Sequence, residues 1–447
     1  REPYPVRPVT ITSQAVGLTG ADDFHAVGHR GQNVRVAVID LGFDGLAAAQ
    51  AAGELQNVVH TWNYITGSGN VEGTGQVHGT GVAEIVEDMA PDAELYLLLI
   101  GDSVDLENAV QFCLQNGIHV INHSVAWFNT NFYDGTGTIA GFASNARDQG
   151  ILWVNAAGNY ADDGHWQGFF TDSNGDGWHE FSGSDSTNRI LVASTDTVSI
   201  LLTWDDWTAS DQDYDLYLYN SADQLVATSA RWQSGTQAPV EEIHYRPASD
   251  GVVGYTDGFY HIKIRRYSAS GPMEMELFVL SQGGQDTRLQ YHHPESSIAA
   301  PANSPKVLSV GAISYWNWSS GPQAGYSSLG PSNTGLTKPD IAGPASVSNW
   351  TYGSFGGTSA ASPHVAGAAA LLLSEAPERT PGELQVLLET QAIDMGLAGK
   401  DNVYGSGRLN LSPSVAPPTY SDPRAYWQFD EGGGTTALDT SGNGNHG

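Results

Sequence analysis

The 447-residue chain carries 49 acidic against 18 basic side chains, a formal net charge of −31, which excludes nucleic acid as a partner and repels anionic membranes and polyanions. Such a surface suits a salty or calcium-containing medium that screens its self-repulsion, or serves solubility alone. A 40% hydrophobic content and this length argue for globular folding in more than one domain; a single cysteine, Cys113, excludes an intramolecular disulfide, and no apolar run is long enough to cross a membrane.

The chain begins at Arg1 without a signal peptide, which predicts a processed or trimmed form. Residues 1–33 are polar and proline-bearing, with a short helical pattern around 21–27. Strand patterns follow at 34–39, 94–100, 118–122 and 151–154, and helical stretches lie after His78 and around 104–115 and 138–149. This alternation predicts an α/β fold, a parallel sheet with helices on both faces. Cys113 falls on the apolar face of the 104–115 helix and is expected in the core.

The run at 34–39 ends in Asp40, as expected of a buried parallel strand delivering a carboxylate at its C-terminal end. Alone, that aspartate reads equally as a turn or cap residue. In Val77-His78-Gly79-Thr80-Gly81 a histidine opens a helix among glycines, a setting in which a lone histidine is usually structural. Gly135, Gly137 and Ala140 approximate a dinucleotide fingerprint, but the loop at 124–134 removes the strand-turn-helix context that chemistry needs. Asn159 follows the 151–154 strand in Ala156-Ala157-Gly158-Asn159, a place that also fits a cap.

Further on, Gly356-Gly357-Thr358-Ser359-Ala360-Ala361-Ser362-Pro363-His364 leads into an Ala/Leu-rich helical run. Pro363 fits a first helical turn, which puts Ser359 at a helix N-terminus, where free amides and partial positive charge stabilise an alkoxide or oxyanion. A bare Gly-Thr-Ser would more often be a helix cap. Asp, His and Ser in that order, each at an end of a strand or helix in an alternating pattern, reverse those odds.

The chain resembles the subtilisin-like serine proteases (subtilases). Besides the Asp40, His78 and Ser359 motifs, the stretch from Gly325-Tyr326-Ser327-Ser328-Leu329-Gly330-Pro331 to Lys338-Pro339-Asp340 is similar to the one preceding that family's serine. The resemblance implies a secreted endopeptidase acting on protein or peptide substrates. Ser359 would be the nucleophile, His78 its base, Asp40 the residue that holds the imidazole, and Asn159 an oxyanion-hole donor. It also implies that Ser124, Val125 and Ala126, with Ala157 and Gly158, bind substrate; Ala126 and Trp127 stand where common members have glycines. Trp127 and Phe128 read alternatively as packing against the loop behind them. The related acid-acting sedolisin type is disfavoured by His78 and Asn159. A catalytically inactive adhesion or binding protein on the same fold is the remaining alternative.

Against a compact subtilase, the chain between Asn159 and Ser359 is long. The excess predicts an inserted domain over 162–293 that divides the catalytic domain into 1–161 and 294–411. Its strand patterns at 198–204, 214–219, 224–228, 240–246, 259–266 and 274–280 predict an antiparallel, jelly-roll-like β-sandwich. Asp172-Ser173-Asn174-Gly175-Asp176-Gly177 carries oxygen-bearing side chains at alternate positions and a glycine at the sixth, the first half of an EF-hand loop, and predicts structural calcium on Asp172, Asn174 and Asp176. Gly183 stands where the bidentate glutamate belongs, so a further ligand is expected from Glu180, Asp185 or water; a solvated turn is the alternative. The catalytic fold resumes with a strand at 307–312 and ends with a helix at 381–390. Residues 412–447 read as a proline-rich linker and the truncated start of a laminin-G- or concanavalin-like, carbohydrate- or surface-binding module.

Overall fold

The computed structural model describes residues 10–193, 196–247, 258–281 and 288–412. The segment at 413–447, with the expected C-terminal module, lies outside the described residues. After two short helices, α1 (Ala15–Thr19) and α2 (Ala21–Ala26), strand and helix alternate through β1 (Arg35–Asp40), α3 (Leu46–Ala52), β2 (Val58–Asn63), α4 (His78–Met89), β3 (Glu94–Leu99), α5 (Ser103–Gln115), β4 (Val120–His123), α6 (Gly137–Asp148) and β5 (Leu152–Ala156). Eight further strands follow: β6 (His165–Phe169), β7 (Asn188–Val192), β8 (Val198–Trp204), β9 (Asp213–Asn220), β10 (Leu225–Ser229), β11 (Val240–Tyr245), β12 (Gly258–Ser268) and β13 (Glu274–Ser281). The chain closes with β14 (Leu308–Ser314), β15 (Ile341–Ala345), β16 (Val347–Asn349), β17 (Gly353–Phe355), α7 (Thr358–Glu375) and α8 (Pro381–Gln391).

Seven strands form one parallel sheet in the order β15-β14-β5-β4-β1-β3-β2. Because successive side chains of a strand point to opposite faces, β1 serves two cores. Val36 and Val38 pack with Val82, Val86 and Val365 of α4 and α7, while Ala37 and Ile39 pack with Leu106, Val110 and Cys113 of α5 and Ile139 and Ala143 of α6. The helices therefore cover both faces, and burial on both explains the near-continuous apolar runs of the inner strands. The sequence signal misses β2 and β15. Both are edge strands; β2 is half-exposed, and β15 contains Pro344, which an edge tolerates and a central strand does not.

Strands β6–β13 make two antiparallel four-stranded sheets, β10-β9-β12-β7 and β11-β8-β13-β6. One core joins them: Ile190, Leu216, Leu218, Ile262 and Ile264 from the first meet Ile200, Leu202, Ile243, Leu277 and Val279 from the second. The alternate face of the second sheet presents Leu201 and Phe278 to Tyr133 and Ala299, with Ala126, Phe128 and Tyr160 against them. That contact puts the antiparallel sheets directly behind the segments on which the site is built.

Candidate active site

Asp40 is the last residue of β1, an inner strand between β4 and β3, and it is fully buried. α4 begins at His78, pressed against the loop after β1: the Gly79 amide donates to Gly42 O at 2.9 Å. A Cβ at Gly79 would stand 2.5 Å from the Phe43 ring and 2.8 Å from Gly42 O, so only glycine permits the approach. His78 Nδ1 consequently lies 2.9 Å from both Oδ1 and Oδ2 of Asp40. Burial of the imidazole opposes its charge, but the charge and hydrogen bond of Asp40 outweigh that and hold its pKa above the ordinary histidine value. The ring stands edge-on to Phe355, centroids 5.7 Å apart, four residues before Ser359.

Ser359 is the second residue of α7. Its amide is one of the four that an α-helix leaves without an intrahelical acceptor, and no acidic side chain in the first turn offsets the positive helix end. Ser359 Oγ donates to the Ser124 carbonyl at 3.4 Å, and among the described residues no hydrogen bond joins it to His78. The expectation that Pro363 occupies the first turn is corrected: α7 starts at Thr358, and the proline sits inside the helix. Having no N–H, it leaves the Ser359 carbonyl without its helical donor. Ser124 Oγ supplies one at 3.2 Å and is itself held by Asn122 Nδ2 at 3.1 Å and Ser362 Oγ at 2.8 Å.

Asn159 is exposed at the end of the turn after β5. Its Oδ1 accepts from the Thr358 amide at 2.9 Å and from Thr358 Oγ1 at 3.0 Å, which fixes the amide orientation and turns Nδ2 away from those donors. Thr358 Oγ1 accepts in turn from the Gly158 amide at 3.1 Å. Gly158 adopts φ +116°, where a Cβ would meet Ser328 Oγ at 2.8 Å. Ala157 is tied to β14 through Val310 O at 3.0 Å, and the Gly357 amide donates to the Tyr326 hydroxyl at 2.9 Å. Thr358, Tyr326, Asn122 and Ser362 thus set the geometry around Ser359 and Asn159; the Gly-Tyr-Ser-Ser stretch was the sequence signal for Tyr326.

Ser124 is buried and Val125 and Ala126 are half-buried, with the Val125 carbonyl accepting from Asn155 Nδ2 at 3.3 Å. Trp127 turns back onto the strand end, where its indole N–H donates to His123 Nε2 at 3.0 Å while His123 Nδ1 donates to Ile39 O at 2.8 Å. Burial lowers the His123 pKa to about 4, so this ring is a neutral spacer beneath Asp40. Phe128 lies against Tyr160 and Phe278, at 5.2 and 5.0 Å between ring centroids.

Asp172, Asn174 and Asp176 lie together on the loop after β6. Asp172 pairs with Arg266 at 2.9 Å, and Asn174 Nδ2 donates to Asp176 Oδ2 at 3.1 Å. Among the described residues no group of three or more His, Cys, Asp or Glu is arranged to hold a metal ion.

In comparisons with known proteins, residues 31–241 and 247–407 match the model of the Subtilase family, Peptidase_S8. Subtilisin NAT of Bacillus subtilis subsp. natto is 37% identical over 120 residues, 27% of this chain and 29% of that protein. An extracellular serine protease of Serratia marcescens is 42% identical over 67 residues, 15% of this chain and 6% of that protein. The chain therefore spans less than a third of the length of each. Among solved structures, the CspB protease of Clostridium perfringens superposes with a TM-score of 0.64 at 16% identity, covering 89% of this chain and 97% of that one, a likeness of fold. With the family model matched over most of its length, the chain belongs to the subtilase family.

Proposed function

We propose that the chain is a secreted serine endopeptidase. Ser359 Oγ swings from the Ser124 carbonyl towards His78 and attacks the scissile carbonyl carbon, and its proton passes to His78 Nε2. Asp40 keeps Nδ1 protonated and stabilises the imidazolium. The oxyanion takes hydrogen bonds from the Ser359 amide and Asn159 Nδ2. His78 then returns the proton to the leaving amine, and water repeats the sequence on the acyl-enzyme. The residues at 124–126 and 157–158 flank this centre and are assigned to the substrate backbone, and strands β6–β13 are read as a module set into the catalytic domain behind it.

The observation that carries the reading is the fully buried Asp40 carboxylate engaging His78 Nδ1 with both oxygens at 2.9 Å, with the other ring nitrogen left for a nucleophile. Secretion rests on the Serratia relative, described as extracellular. A fluorophosphonate probe at neutral pH tests the chemistry: labelling of the wild type, lost in Ser359→Ala and His78→Ala, is expected, and an unlabelled folded wild type would mean an inactive binding protein. Asn159→Ala should lower kcat by roughly 10²–10³-fold with little change in KM, the range known for subtilisin itself.

A further inference from the structure

β6 is an edge strand, bonded to β13 on one side only. Its bonds to β13 fall on alternate residues: the Val279 amide donates to Gly164 O and the Phe170 amide to Met273 O, both at 2.9 Å, and the register sets Trp166 and Gly168 as the bonded positions between them. The amides and carbonyls of His165, Gln167, Phe169 and Thr171 therefore point the other way. Both ends of that outward row are taken: His165 O accepts from the His293 amide at 2.8 Å, and Thr171 O from the Glu180 amide at 2.9 Å. The middle is open. Among the described residues no hydrogen bond engages the backbone of Gln167 or Phe169, and Phe169 is 59% exposed. Beside the open stretch lies a cleft of about 490 Å³, bounded across from β6 by Glu180 and Phe181 on one side and Tyr291 and His293 on the other. A bare sheet edge recruits another strand unless charge, proline or a bulge blunts it, and Gln167-Gly168-Phe169 carries none of these.

We propose that the open stretch of β6 is an exosite that takes a short extended segment of the polypeptide substrate as an added strand. Gln167 and Phe169 each supply one amide and one carbonyl to the new ladder, and the cleft receives the segment's side chains. The inference rests on the reading of the chain as an endopeptidase. Gln167 follows Asn159 by eight residues, so the two lie within about 28 Å of each other, the reach of that much extended chain, and one unfolded substrate can span both. Charge and shape narrow the segment. The protein carries a net charge of −31, and Glu180 in the cleft wall keeps Oε1 without a partner, both of which favour basic side chains. Trp166 and Phe181 line the same cleft and suit the β-branched residues that strands prefer.

The test uses Ser359→Ala protein, so that binding is read without turnover, and a fluorescein-labelled peptide of alternating valine and lysine, about a dozen residues long. Fluorescence anisotropy should show saturable binding. The same peptide N-methylated at its central residues keeps its side chains but cannot complete the ladder, and should bind about tenfold more weakly or worse. Phe169→Pro, added to Ser359→Ala, removes an outward amide without breaking a bond to β13, a place where an edge strand tolerates proline. It should weaken binding of the parent peptide about tenfold, while Phe169→Ala, which keeps the amide, should retain most of it. Equal binding of the methylated and parent peptides, or undiminished binding in the folded Phe169→Pro variant, would overturn the proposal; the first comparison needs no change in β6. A dimer of the free protein that Phe169→Pro dissociates would assign the edge to a second copy and overturn it too. If the wild type labels with fluorophosphonate and the peptide does not bind, this inference alone fails; if the peptide binds and the wild type does not label, it is the endopeptidase reading that fails.

Discussion

Ser124 and Ser359 exchange hydrogen bonds across the site: Ser124 Oγ donates to the Ser359 carbonyl at 3.2 Å, and Ser359 Oγ donates to the Ser124 carbonyl at 3.4 Å. The first bond replaces the helical one that Pro363 cannot make. Ser124→Ala should therefore destabilise the protein by about 1–3 kcal/mol, the cost of leaving one acceptor unpaired. Adding Pro363→Ala returns an N–H to the helix, so the double variant should recover part of the loss. A coupling energy of about 0.5 kcal/mol or more in denaturant unfolding is the expected sign of this link; strictly additive effects would break it.

In the proposed mechanism the imidazole of His78 must be neutral to accept the Ser359 proton, and Asp40 raises its pKa above the ordinary 6.5. The acid limb of kcat/KM, which reports the free enzyme, should accordingly lie above pH 6.5. Asp40→Asn removes both influences that raise the pKa and should shift the limb to lower pH while reducing kcat by about 10⁴-fold through the wrong tautomer. A limb unmoved in Asp40→Asn would mean that another group controls it.

The backbone contexts of Asp40, His78, Asn159 and Ser359 were legible because each lies on a local pattern: an apolar run, a glycine-flanked helix start, or a small-residue turn. The contacts that fix them were not. Tyr326 meets Gly357 across 31 positions, and Asn159 meets Thr358 across 199, distances at which periodicity carries no signal. Pro363 misled because a local rule places proline in a first turn, whereas here a tertiary bond from Ser124 tolerates it deeper in α7. Strand alternation found β8 and β13 but not that Leu201 and Phe278, on their outer face, meet Tyr133 and Ala299.

Phe278 is fully buried between the rings of Phe128, Tyr133 and Tyr160, with centroids 5.0, 5.0 and 5.5 Å away. Phe278→Ala should cost about 3–5 kcal/mol, as core truncations of this size do. Because Tyr160 adjoins Asn159 and Phe128 follows the 124–126 segment, kcat/KM should fall as well, while Phe278→Leu, which fills most of the volume, keeps most of both. A Phe278→Ala protein with wild-type kinetics would show that the antiparallel sheets do not bear on the site.

Asp88 fastens the N-terminal segment to α4 by accepting the Ser13 amide at 2.8 Å, and Ser13 Oγ donates to His364 Nε2 of α7 at 2.8 Å, the imidazole's Nδ1–H being engaged by Ala360 O. Burial, against the opposing Ser13 bond and with help from Glu54, Glu84 and Glu87, raises the Asp88 pKa from 3.8 to about 8. A carboxyl whose folded pKa exceeds its unfolded one contributes fully below the unfolded value, and the contribution fades as pH rises through the folded one. The loss attributable to Asp88 therefore develops between about pH 4 and pH 8. Asp88→Asn cannot ionise, so its melting temperature relative to the wild type should climb across that window and level off above it. Parallel melting curves for the two proteins from pH 4 to 9 would show instead that Asp88 ionises in the fold as it does in the open chain.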